Sequence, residues 1–165
     1  MAHHSYQIGK ELLTQLRNII AVGAAEQSWQ VPEVVFRRRK SGSGRDDVKM
    51  RLSEGITLVP TGSADSGGTS ERDDWGVRFL VGISFSTTSD ILDDAAFWPT
   101  AFYEQIIRQR FQQRRVNDIC NANFCEMGCT VLTGANPDWL DLKDGIDETA
   151  MFITVFIRES RRLQP

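Results

Sequence analysis

The residues able to do chemistry fall into four groups: three cysteines, two histidines, clustered carboxylates and clustered bases. The cysteines, Cys120, Cys125 and Cys129, are spaced C-x4-C-x3-C. Structural zinc takes four ligands, usually as two close pairs, and no second pair exists. Three thiolates could hold an iron–sulfur cluster with one open position, but these flank a segment that reads as a strand. The odd count, and a start without the basic-then-apolar layout of a leader, give the expectation of free thiols in a reducing compartment. His3 and His4 are the only histidines, and no role is expected for them at the chain start. Without another imidazole, Ser-His-Asp and Cys-His catalysis lack their base. No metal or cofactor is expected.

Carboxylates occur as Asp46-Asp47, Asp73-Asp74 and Asp93-Asp94, then as Asp138, Asp141, Asp144 and Asp147. A cation or glycosidase site needs such groups to converge in a cleft. Here they fall in expected loops and at a helix start, where carboxylates complement the helix dipole. Ser66-Gly67-Gly68-Thr69-Ser70 could cradle an anion through backbone amides, but acids surround it and no helix opens after it. No P-loop or dinucleotide-binding glycine pattern follows a strand.

The bases gather at Arg37-Arg38-Arg39-Lys40, at Arg108–Arg115 and at Arg161-Arg162. They could form a nucleic-acid footprint. Against that, 19 Lys+Arg face 22 Asp+Glu, a formal net charge of -3, and no binding motif is present. The competing reading pairs these bases with acidic segments of a neighbouring copy. The interface candidates are Arg37, Arg38, Arg39, Lys40, Arg161 and Arg162 on the basic side. Asp65, Glu71, Asp73, Asp74, Asp138 and Asp141 stand on the acidic side.

These groups need elements to position them. The chain has 165 residues, 41% hydrophobic and 25% charged, which excludes collagen, wholesale disorder and a disulfide-dense mini-protein. No run reaches the ~18 apolar residues of a membrane helix. Ile8, Leu12, Leu16, Ile19 and Ile20 recur at helical spacing and predict a helix over Tyr6–Val22, stopped at Gly23. A strand is expected from Glu33, its basic end projecting, lying at an edge or meeting an acidic partner. Another begins in Val48–Leu52, and Gly55–Pro60 reads as a short strand ended by proline. Flexible loops are expected near 41–47, 61–74 and 134–149, the middle one rich in Gly, Ser and Asp. Trp75–Ser86 alternates as a strand with one apolar face. A second helix is expected over Trp98–Val116, entered near Asp93-Asp94, with Pro99 in its first turn. Cys125–Thr133 reads as a strand. Ala150–Glu159, apolar on both faces, reads as a central one. The order gives a single α+β domain: a mostly antiparallel sheet with two amphipathic helices on one face.

This order of elements, with Gly55-Ile56-Thr57-Leu58-Val59-Pro60 ahead of a long alternating strand and Phe152-Ile153-Thr154-Val155-Phe156-Ile157-Arg158-Glu159 at the end, resembles the tail terminator and tail-completion proteins of long-tailed bacteriophages. The resemblance spans most of the chain. It rests on order and character of elements, so no single residue is carried over. It implies a virion structural protein without catalysis. Such a protein is assembled in the host cytoplasm as a ring, commonly of six copies, that caps the tail tube and joins it to the head connector. Its partners would be copies of itself, the tail-tube protein and a connector or neck protein. DNA would only pass through the lumen, and no membrane is involved. Head–tail joining, neck and tail-tube proteins are alternatives. An alternative of another class is a small-molecule-binding domain or enzyme using Trp98, Trp139 and the Asp138–Asp147 region.

Overall fold

The computed structural model describes residues 4–39, 49–69, 72–86, 98–121, 123–142 and 147–160. The first helix, α1, runs from His4 to Glu26. Its stripe is the expected one, with Ile8, Leu12, Leu16 and Ile20 all fully buried. Each such aliphatic contributes about 1.5–3 kcal/mol on leaving water. The helix does not stop at Gly23, which is buried in its last turn where a side chain would strike Ile106 and Phe102. Gly23 is therefore a contact point with the second helix rather than a cap.

Among the described residues, seven strands follow the helix into two sheets. β1 (Val34–Phe36), β3 (Gly55–Gly68), β4 (Arg72–Phe85), β5 (Phe124–Thr133) and β7 (Asp147–Ser160) form one sheet in the order β1-β3-β4-β7-β5. Only the β1–β3 pair is parallel. β2 (Met50–Arg51) and β6 (Leu140–Asp141) form a second, two-stranded parallel sheet. β7 lies between β4 and β5, as its two apolar faces require. The fold is α+β.

Two sequence expectations fail in β3. Pro60 does not end the strand, and the expected loop at Thr61–Asp74 holds the rest of β3 and the start of β4, paired as the outer part of a hairpin. The outward groups of Ile56 and Leu58 bond to the β1 side, through Ile56 N–H to the Glu33 carbonyl and Arg37 N–H to the Leu58 carbonyl. Pro60 shares their parity, so its missing donor would point away from β4 and costs no rung. The register shifts at Pro60/Gly62 and Asp65/Gly67 fall where Gly62 and Gly67 take φ of 117° and 127°. These are bulge positions that glycine fills without strain.

The second helix, α2, spans Pro99–Phe111, with Trp98 before it and Pro99 in its first turn. It ends five residues short of Val116. There the chain turns outward through Gln113 (φ 57°) and lays itself along β5. The Gln113 N–H donates to the Cys129 carbonyl at 3.0 Å and the Cys129 N–H to the Arg114 carbonyl at 2.7 Å. The Val131 N–H donates to Gln112 Oε1 at 2.6 Å. Both helices pack on one face, over Leu58, Phe79, Val81, Ile153, Val155 and neighbours. The opposite face is covered over one half, where the β2–β6 pair buries Val59, Leu80, Leu140 and Ala150. The expected loop at 134–149 thus holds β6 and the start of β7. The expected loop at 41–47 and the helix entry at Asp93-Asp94 lie outside the described residues.

Candidate functional site

The basic run leaves β1 at the sheet edge, one of the three positions its sequence allows. Its charges then meet partners inside the same chain. The Arg37 guanidinium donates to the Arg51 carbonyl at 3.0 Å. Arg39 lies over the Trp139 ring at 4.8 Å, a cation–π contact. Arg51 and Asp141 form an ion pair at 3.2 Å. Arg38 and Asp138 are exposed. The described parts of the two segments, Arg37–Arg39 and Asp138–Asp141, expected to complement each other between copies, are therefore neighbours within one. Lys40, Glu71, Arg161 and Arg162 lie outside the described residues.

The other acidic candidates sit on the hairpin arm. Asp65 is in β3 opposite Trp75, and Asp73 is half-buried in β4 opposite Glu159. Asp74 accepts two hydrogen bonds from the Arg158 guanidinium, at 2.7 and 2.9 Å. That fork holds the Asp74 carboxyl below, and the Arg158 guanidinium above, its ordinary value. At the same end His4, expected to be idle, stacks on Phe124 with ring centres 4.1 Å apart. Its Nδ1 lies 3.2 Å from Glu159.

The sheet face opposite the helices is bare over this half. Register places Arg78, Thr154 and Thr130 in one row and Gly76 with Phe156 beyond, while the row on the other side runs from Leu80, fully buried under the covered half, through Phe152 to Leu132. Leu132 is 65% exposed, and Arg78 lies over the Phe152 ring at 5.5 Å. The outer edge of β3 beyond Leu58 pairs with no strand among the described residues. The β5 edge is closed by the 112–119 segment. One edge and half of one face are thus left open on the same arm.

A polar knot closes the β5 side. Glu126 is fully buried and accepts the N–H groups of Val116 and Asn117, the latter at 3.2 Å. Burial pushes its carboxyl above the ordinary glutamate value despite those donors. Arg110 spans the same turn, donating to the Arg115 and Val116 carbonyls at 2.9 Å each. The thiol of Cys129 is buried, donates to the Phe111 and Arg114 carbonyls, and is pushed up to about 12, mainly by burial. It is a free thiol, as expected, but Cys120 and Cys125 are joined in a disulfide. The expectation of three free thiols is corrected there. Cys120 and Cys125 face each other across an antiparallel bridge, a proximity that composition does not encode. Among the described residues no group of three or more His, Cys, Asp or Glu could hold a metal ion.

Two clefts flank the start of α2. One, of about 430 Å³, is lined by Trp98, Glu104, Arg108, Asp147 and Glu148 among others. Its acids already hold donors: Asp147 accepts from Trp98 Nε1 at 3.2 Å and from Thr100, Glu104 from Thr149, and Glu148 from Ser84. Trp98 and Asp147 thus meet, whereas Trp139 and Asp138 belong to the β2–β6 side. The second cleft, of about 610 Å³, is lined by Trp29, Pro32, Glu33, Glu54, Phe85 and Tyr103 among others.

No protein-family model matches the chain, and no curated protein matches it. Among the described residues, no helix is long and apolar enough to cross a membrane. Sequence reasoning missed Glu126 and the Trp29–Tyr103 cleft. The signal for Glu126 was its place two residues after Phe124, on the inward side of an alternating strand.

Proposed function

We propose that the chain is a structural subunit that assembles head to tail into a ring. In the reading its resemblance suggests, that ring terminates the tail tube of a long-tailed bacteriophage and joins it to the head connector. Neck and tail-tube roles are the nearest alternatives. The protein performs no turnover, and DNA passes through its lumen without being read. It assembles in the host cytoplasm and resides in the virion.

One observation carries this reading. A 14-residue β3–β4 arm extends with an open strand edge and a bare, partly apolar face, while the opposite edge is sealed by the chain's own turn. A ring requires one patch of each copy to meet a different patch of the next, and the open β3 edge and the bare face are two unlike patches. An exposed apolar face on a soluble domain marks a contact surface.

Leu132→Glu tests it. The residue is 65% exposed, so monomer stability should change by no more than about 0.5 kcal/mol. Assembly followed by sedimentation velocity and negative-stain imaging should weaken at least ~10-fold, about 1.4 kcal/mol. Unchanged assembly would remove the bare face from the contact.

A second reading, a small-molecule-binding domain or enzyme, is favoured by the convergence of Trp98, Glu104, Asp147 and Glu148 in one cleft. A melting-shift screen against a metabolite panel separates the two, since only this reading expects a small-molecule hit there.

A further inference from the structure

We propose that the cleft formed by Trp29, Pro32, Phe85 and Tyr103 receives the basic segment Arg161-Arg162-Leu163 of a neighbouring copy, through Glu33 and Glu54 on its rim. The inference rests on the reading that the chain assembles with itself, and it names the two unlike patches that meet.

The walls are aromatic and fixed. Tyr103 is 1% exposed, stacks on Phe85 with centres 5.5 Å apart, and takes the Trp29 ring edge-on at 6.0 Å. The Trp29 N–H donates to the Ala24 carbonyl at 2.9 Å, tying that wall to the end of α1. The rim is clipped as firmly. The Ile56 N–H donates to the Glu33 carbonyl at 2.9 Å. A Cβ on Gly55 would come within 2.5 Å of that same carbonyl oxygen. The Glu33 and Glu54 carboxylates are exposed, and neither has a hydrogen-bond or ion-pair partner among the described residues. Among the described residues no base lines the cleft. Unpaired carboxylates over aromatic walls fit a guanidinium, which stacks on π faces and pairs with carboxylate at once.

The chain's own Arg161-Arg162-Leu163 suits this site. Arg37 and Arg39 are engaged on Arg51 and Trp139. Arg161-Arg162 is followed by Leu163, a basic–apolar order matching acidic rim and apolar wall. It cannot reach its own cleft. β7 pairs Asp147 with Phe85 at the cleft end and Ser160 with Arg72 at the far end. At roughly 3.3 Å per residue the two ends are about 40 Å apart. Arg162 stands two residues beyond Ser160, a reach of about 7 Å of backbone and a similar length of side chain. The segment of one copy can therefore enter only the cleft of another.

Two measurements on the full chain test this. A fluorescently labelled peptide of residues 159–165 is titrated by anisotropy at low salt, beside a control peptide with glutamine at positions 161 and 162. Self-association is followed by sedimentation velocity. The peptide should bind, and its affinity should fall at least ~10-fold with Glu33→Lys plus Glu54→Lys and for the control peptide. Self-association should weaken as much with Arg161→Glu plus Arg162→Glu. It should recover when all four changes are combined, because the charges are exchanged rather than removed. Rings that persist through both reversals, with no peptide binding, overturn the cleft assignment and leave ring assembly standing. A strict monomer that captures no peptide overturns both. A strict monomer that captures the peptide through Glu33 and Glu54 also overturns the contact between copies, since the chain's own segment cannot reach its cleft.

Discussion

Replacing Glu126 with alanine removes the acceptor of the Val116 and Asn117 N–H groups at once. Val116 is fully buried, so its donor cannot turn to water, and stranding it costs about 1–3 kcal/mol. Asn117 is exposed and its donor recovers a water partner. Losing bonds to a charged acceptor adds to the cost, and relief from burying the carboxylate subtracts from it. The expected loss is about 2–4 kcal/mol in urea unfolding. Glu126→Gln retains one acceptor oxygen and should lose about 1 kcal/mol. The two variants also differ in pH dependence. Burial raises the carboxyl of Glu126 in the folded state, so the fold holds that proton more tightly than the unfolded chain. Its contribution to stability is full below the ordinary glutamate value and is lost as pH rises through the raised folded value. The stability of wild type minus that of Glu126→Gln should therefore fall as pH rises across that window. A difference that grows with pH would refute the reasoning, since it would mean that the backbone donors outweigh burial.

Two further outcomes follow from the packing. Gly55→Ala should cost about 2–4 kcal/mol in urea unfolding, because φ is +103° and the Glu33 carbonyl fills the Cβ position. Thiol titration without reductant should find one reactive group in denaturant, Cys129, and almost none in the native protein at pH 8. After reduction in denaturant the count should rise to three, whereas three before reduction would contradict the disulfide.

The helices and the long alternating strands were legible because their periodicity is local. The Ile8–Leu12–Leu16–Ile20 stripe reports the core side of α1 directly, and the two apolar faces of 150–159 report burial between neighbours. The Thr61–Asp74 arm was not legible. Its Gly, Ser and Asp content favours turns, and it becomes strand only through pairing with β4 across two glycine bulges. Gly23 was misread for a related reason: a glycine that admits a neighbouring helix has the same letter as one that ends a helix. Of the candidate contact residues, the basic run took one of the three placements its sequence left open, a sheet edge. Its partners were not legible. Arg39 meets Trp139, and Asp74 meets Arg158, across most of the chain. Such pairings are set by topology, and no spacing rule reaches that far.

The central claim, a self-assembling structural subunit, is tested most directly by native mass measurement of the full chain over a concentration series, with and without added tail tubes. The account predicts a closed integer multiple of the 18.6 kDa chain, appearing at high concentration or on the tubes and seen end-on as a ring. A protein that stays monomeric throughout and leaves the tube ends bare would contradict it.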